Sequence, residues 1–203
     1  MRALPLLRVV MTLALLVAGL APARAAGETE VIQRLDDTLL DVMQNADSLG
    51  FSGRYERLEP VLNELFDFPA MAQLGLARYW ADLVPEDRGR VVEAFARMSI
   101  ATFAARFDGF NGQSFEIVGT SPGPRSLVLV KTMLHRPADE AVELTYVMRD
   151  TPTGPRVIDV LSAGKFSELA RQRAEMSAVY GREGLEGLIA SLQAKARELA
   201  GGS

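Results

Sequence analysis

The apolar positions of this chain change period twice. Over residues 28–46 they fall at helical spacing, with Val31, Ile32, Leu35, Leu39, Val42, Met43 and Ala46 on one face. Residues 45–50 close that helix. A second is expected over 53–65, with Leu58, Leu62, Leu65 and Phe66 on one side. Asp67-Phe68-Pro69 restarts the chain, because proline suits a first helical turn. A helix over 70–80 follows. Val84-Pro85-Glu86-Asp87 is a further start, with acidic residues where the helix dipole favours them. That helix is expected to reach about residue 107, its apolar arc being Val91, Val92, Phe95, Met98, Thr102, Phe103 and Phe107. The period then drops to two. Phe115 and Ile117 alternate in a run over 114–119. Three further β-rich runs fill 126–161, and in the middle one Val142, Leu144, Tyr146 and Met148 alternate with Glu143, Thr145, Val147 and Arg149. The loops at 135–140 and 150–155 carry Pro and Gly for chain reversal. Connections this short favour antiparallel neighbours, hence a meander. The helical period returns over 167–180, with Leu169, Arg173, Met176 and Tyr180 sharing a face and Gln172 elsewhere. A break is expected at Gly181. A last helix carries Leu185, Leu188, Ile189, Leu192, Ala196 and Leu199. The fold class is α+β: a small antiparallel sheet of about four strands, covered by N- and C-terminal helices.

The first 25 residues read differently. Arg2 and Arg8 flank the apolar run from Val9 to Ala18, and Ala23-Arg24-Ala25 fits a small-x-small cleavage site. This predicts a secretory signal peptide over 1–25 and a single domain over 26–203. The alternative is an uncleaved N-terminal anchor. Cleavage removes Arg2, Arg8 and Arg24 from a chain of formal net charge −4, leaving −7. An acidic exported domain is a poor match for nucleic acid or an anionic bilayer. With no cysteine among 203 residues, no disulfide supports it, and a domain of this size needs none. The periplasm is the expected compartment.

The usual catalytic constellations are missing. With no Cys and only His135, a cysteine nucleophile or a histidine-rich metal site is excluded. There is no G-x-S-x-G, no phosphate-binding glycine loop and no dinucleotide fingerprint. His135 is expected at a hairpin loop. Asp159 stands inside the apolar run Val157-Ile158-Asp159-Val160-Leu161. A carboxylate in a dry pocket can serve as a base, which keeps open a small enzyme using Asp159 with Tyr146. The competing reading pairs Asp159 structurally with an arginine such as Arg149.

What the chain has in quantity is apolar bulk. Phe, Met, Tyr and Trp come from both helices and sheet, which suits either a packed core or a cavity for an apolar guest. The order of motifs resembles the MlaC family of periplasmic lipid-binding proteins, the toluene-tolerance or ABC-transporter auxiliary proteins. The resemblance rests on Phe66-Asp67-Phe68-Pro69-Ala70-Met71, Leu74-Gly75, Trp80 and Phe95. It continues through Thr102-Phe103-Ala104-Ala105-Arg106-Phe107, Tyr146-Val147-Met148-Arg149, Val157-Ile158-Asp159-Val160, Gly164 and Gly184-Leu185-Glu186-Gly187-Leu188-Ile189. It covers nearly all of the exported chain. Gly164-Lys165-Phe166-Ser167 is similar to the hopanoid-associated HpnM branch, because phospholipid carriers place the serine one residue nearer that glycine. The resemblance implies a curved sheet and helices enclosing an apolar pocket, no cofactor, no metal and no catalytic residue. It implies a monomeric carrier moving a hopanoid or phospholipid between membranes, with a membrane transporter or membrane-embedded lipid exporter as partner. On that reading Phe66, Met71, Leu74, Trp80, Phe103, Phe107, Leu144, Tyr146, Met148 and Val160 supply the pocket, and Arg106 and Arg173 the mouth. The rival reading is a non-catalytic module that docks on a transporter with a fully packed core.

Overall fold

The computed structural model describes residues 22–137 and 139–201, with side chains from Gly27 onward. Most of the expected signal peptide therefore lies outside the described residues. Five helices and five strands follow in order: α1 (Pro22–Gln44), α2 (Ala46–Leu65), α3 (Phe68–Leu76), α4 (Pro85–Arg106), β1 (Ser114–Pro122), β2 (Val128–Arg136), β3 (Asp139–Thr151), β4 (Gly154–Ser162), β5 (Phe166–Ser167) and α5 (Glu168–Gly201).

The sheet is a five-stranded antiparallel meander in sequence order. It exceeds the expected four strands by the two-residue β5, too short to show a period. Pairing also extends into the expected loops. His135 is a β2 residue, and its Nε2 lies 2.8 Å from Glu116 of β1. The chain reverses between Thr151 and Gly154, whose φ of 112° suits glycine. Register shifts interrupt three of the ladders, at Ile117/Gly119, Leu134/Arg136 and Val147/Met148. Each bends its strand and adds local twist, which curves the sheet.

The helices cover one face. In α1, Ile32, Leu35, Leu39 and Val42 are all fully buried, the stripe that its period requires. This helix packs on α2 and across β1, β2 and β4. Gly50, with φ of 55° and ψ of −174°, kinks α2 at the end of the break expected over 45–50, and the helix starts at Ala46 rather than at 53. Its Arg54 is buried and donates to the Ala104 carbonyl of α4 (2.8 Å) and the Ala46 carbonyl (3.3 Å). The link to α3 is pinned to the sheet. Phe66 bridges to Val157, and the Asp67 amide donates to the Val157 carbonyl at 2.9 Å. Asp67 caps α3 by accepting from the Ala70 amide (3.0 Å) and pairs with Arg149 at 2.7 Å.

Two expectations for the helices change. The helix over 70–80 ends at Leu76 and tightens into a 3-10 turn over Ala77–Trp80, with Ala77 at φ of 49°. The expected break at Gly181 is absent. α5 runs through it and kinks instead at Gly184, with φ of 67° and ψ of −162°. The buried face of α5 also differs from the expected one. It is Leu169, Gln172 and Met176, while Arg173 points outward. Spacings of three and four from Leu169 both lie near one face, and the sequence pattern chose the wrong neighbour.

Candidate functional site

The helices do not fill the space above the sheet. An apolar cavity of about 270 Å³ opens between α3, α4, the start of α5 and the inner face of β2–β4. Its deep wall is aromatic. Phe66 stacks on Phe68 (5.8 Å between ring centres) and meets Phe103 edge-on (5.5 Å); Phe103 stacks on Phe107 (5.9 Å). These rings come from the α2–α3 link and from α4, where 103 and 107 lie one turn apart. Edge and offset contacts each add about 0.5–1.5 kcal/mol beyond burial, so the wall is stiff without a guest.

The sheet supplies the floor. Leu144 and Tyr146 alternate on the inner face of β3, with Val160 opposite Tyr146 on β4. Of the residues assigned to a pocket from sequence, Phe66, Met71, Phe103, Phe107, Leu144, Tyr146 and Val160 line this cavity. Leu74, Trp80 and Met148 do not. Leu74 is exposed on α3. Trp80 is half-buried beneath the Arg88 guanidinium, 5.6 Å from the ring centre. Met148 is fully buried in the packed core. Of the two arginines, Arg106 lines the cavity and Arg173 is exposed outside it. The sequence reading missed Ser99, Gln172 and Glu168, which share the lining. Ser99 lies four residues from both Phe95 and Phe103, so a polar residue on an apolar face was the available signal.

The polar groups at the rim are mostly engaged. Asp159 Oδ1 accepts from the Val160 amide (2.8 Å) and the Leu169 amide (2.9 Å), and Oδ2 accepts from the Ser167 hydroxyl (2.5 Å). Ser167 Oγ in turn accepts from the Ala170 amide (2.8 Å). Asp159 thus fastens the first turn of α5 to β4. It does not pair with Arg149, which holds Asp67 instead. Glu168 pairs with Arg171 and, at 3.8 Å, with Arg106. Burial would raise its carboxyl, but the Arg171 hydrogen bond and the Arg106 charge outweigh burial and hold it below its ordinary range.

On the closed side of the floor, Asp36 of α1 is buried, and neither carboxylate oxygen has a hydrogen-bond partner among the described residues. Burial, and then the charge of Asp37, push it up to about 7. Burial also raises the Tyr146 phenol well above its ordinary value, with the Asp36 charge adding to it. Tyr146 is therefore a neutral hydroxyl. No group of acidic or imidazole side chains among the described residues could hold a metal ion. No described helix is long and apolar enough to cross a membrane.

A second cavity of about 540 Å³ lies between α4 and the two halves of α5. Thr102, Arg106 and Gln172 belong to both linings, so these residues form the partition.

Among solved structures, the chain is similar to a phospholipid-binding protein from Ralstonia solanacearum in complex with a phospholipid. The identity is 20%, the TM-score 0.74, and the match covers 86% of this chain and 98% of that one. At that identity the likeness is one of fold. No curated protein matches the chain by sequence. The family model described as MlaC protein matches residues 33–194, and the chain belongs to the MlaC family.

Proposed function

We propose that this chain is a periplasmic carrier that takes one phospholipid from a membrane, shields its acyl chains and delivers it to another membrane or a transporter. The observation that carries the reading is the apolar cavity. Its wall is built from aromatic side chains on pinned elements, and its rim offers Arg106 beside Glu168. The role needs that combination. Burying one CH₂ contributes about 0.8 kcal/mol, so a chain of roughly 16 carbons is held in a bilayer by about 13 kcal/mol. A carrier must offer a comparable apolar surface and leave the head group at the water boundary. The family and the phospholipid held by the Ralstonia protein support this reading. Asp159 is already committed to three donors, which favours a carrier over an enzyme that uses it.

A hopanoid is the rival cargo. The residues that suggest it, Lys165 and Phe166, lie outside the cavity lining. Phe166 is 65% exposed, with the Lys165 ammonium 5.4 Å from its ring centre. A change there leaves the pocket walls as they are, so the phospholipid is preferred. The test compares lipid extracted from wild-type protein with lipid from Leu144→Arg and Phe103→Arg, each checked for folding by circular dichroism. The expected result is about one phospholipid per wild-type chain and at least a tenfold loss in the folded variants. Wild-type lipid content in both variants would overturn the pocket. A hopanoid in the wild-type extract would change the cargo.

A further inference from the structure

Two side chains in the cavity wall are costly unless something pairs with them. Ser99 of α4 and Gln172 of α5 are each only 6% exposed. Among the described residues, Ser99 Oγ and Gln172 Oε1 have no hydrogen-bond partner. Buried polar atoms without partners are rare because their desolvation is uncompensated. The other polar residues of this wall behave differently. Thr102 Oγ1 donates to the Met98 carbonyl one turn back, at 2.9 Å. Asp159 holds three donors, and Glu168 holds Arg171. Ser99 has the same carbonyl option at Phe95 and does not use it. An aliphatic residue at 172 and an alanine at 99 would close the same wall at lower cost.

Their place in the wall indicates what they serve. Gln172 belongs to the partition between the two cavities, next to Arg106 at the rim. A lipid with two chains has a branch point bearing two ester carbonyls, just below its head group. Resting on the carrier reading, we propose that Ser99 and Gln172 bind the ester region of a two-chain acyl lipid whose chains enter the apolar cavity. Ser99 donates to one ester carbonyl. A half-turn of the Gln172 amide exchanges its oxygen and nitrogen, so that Nε2 stands where the unpaired Oε1 was and donates to the other. A single torsion redirects a serine hydroxyl, and a glutamine amide is a broad two-fold rotor, so side-chain rotation is what turns these two buried groups towards a guest. A purely hydrocarbon guest leaves both groups unpaired, so the pair selects against it.

The test uses two probes, dipalmitoyl phosphatidylglycerol and its dihexadecyl ether analogue, which lacks the carbonyls. Both are titrated into delipidated full-length mature protein and followed by native mass spectrometry. Wild type should prefer the diester by about tenfold, the contribution of one to two hydrogen bonds. The Ser99→Ala/Gln172→Leu double variant should lose that preference and keep its affinity for the diether. Its melting temperature without lipid should equal or exceed that of wild type. Equal binding of both probes by wild type overturns the inference and leaves the carrier standing. No binding of either probe overturns both. A lower melting temperature in the double variant shows that the two groups serve the fold, and also overturns the inference.

Discussion

The two ends of strand β3 obey one pattern and meet two fates. Leu144, Tyr146 and Met148 all point to the inner face. Met148 is fully buried, with Val157 as its neighbour on β4, and Phe66 bridges to that same Val157. Leu144, four residues earlier, faces the cavity and is only half-buried. The difference comes from the covering helices. At the Met148 end, α1 and the pinned α2–α3 link lie directly on the sheet. At the Leu144 end, the aromatic row of α4 and the start of α5 stand off it. One end is closely packed, and the other leaves unfilled space above the sheet.

The largest contrast should therefore be in stability. Met148→Ala removes core volume where nothing can collapse, and should cost about 2–5 kcal/mol in urea unfolding. Leu144→Ala should cost about 1 kcal/mol or less, yet reduce lipid retention more than Met148→Ala does. Similar losses of stability at both positions would erase the distinction.

Asp36 sharpens the same contrast on the packed side. An unfolded Asp36 releases its proton near 3.8, and the folded one near 7. Between those values the folded state holds one proton more than the unfolded state. Stability from this group therefore falls as pH rises through that window. Asp36→Asn should flatten the fall, giving about 2–4 kcal/mol more stability at pH 7.5 and almost no change near pH 4. Urea titrations at the two pH values measure it. An equal effect at both would show that the carboxyl is not shifted.

A smaller effect is expected where the closed end is fastened. Asp67→Ala removes the cap of α3 and leaves Arg149 without its carboxylate. The loss should be about 1–2 kcal/mol, chiefly the cap, because Arg149 is half exposed. Arg149→Ala should cost less, since the cap survives it.

How far the sequence disclosed this follows from the same contrast. Period-2 alternation marked β1 and β3, an apolar run marked β4, and the short reversals gave the meander, because all three are local signals. β5 was invisible, since two residues carry no period. The inner face of β3 was legible, but nothing in the alternation separates Leu144 from Met148, because the gap above one of them is made by helices elsewhere in the chain. On α5 the stripe was displaced by one residue. Arg173 entered it and Gln172 dropped out, which moved the expected mouth cation outward and hid a buried amide. Ser99 was passed over because a small hydroxyl on a broad apolar arc reads as neutral, although its place between Phe95 and Phe103 was on view. Asp159 was flagged by its apolar neighbours. Its partners are amides and a hydroxyl at the start of α5, which no spacing rule announces.

The central claim is that an acyl chain lies between the aromatic row and the floor of β3. The most direct measurement is a crystal structure of residues 26–203 with a phospholipid whose chains carry bromine, located by anomalous scattering. The account predicts bromine peaks between Phe103 and Leu144, with the phosphate near Arg106. Peaks confined to the outer face of the sheet, or a lipid-saturated crystal with an empty cavity, would contradict it.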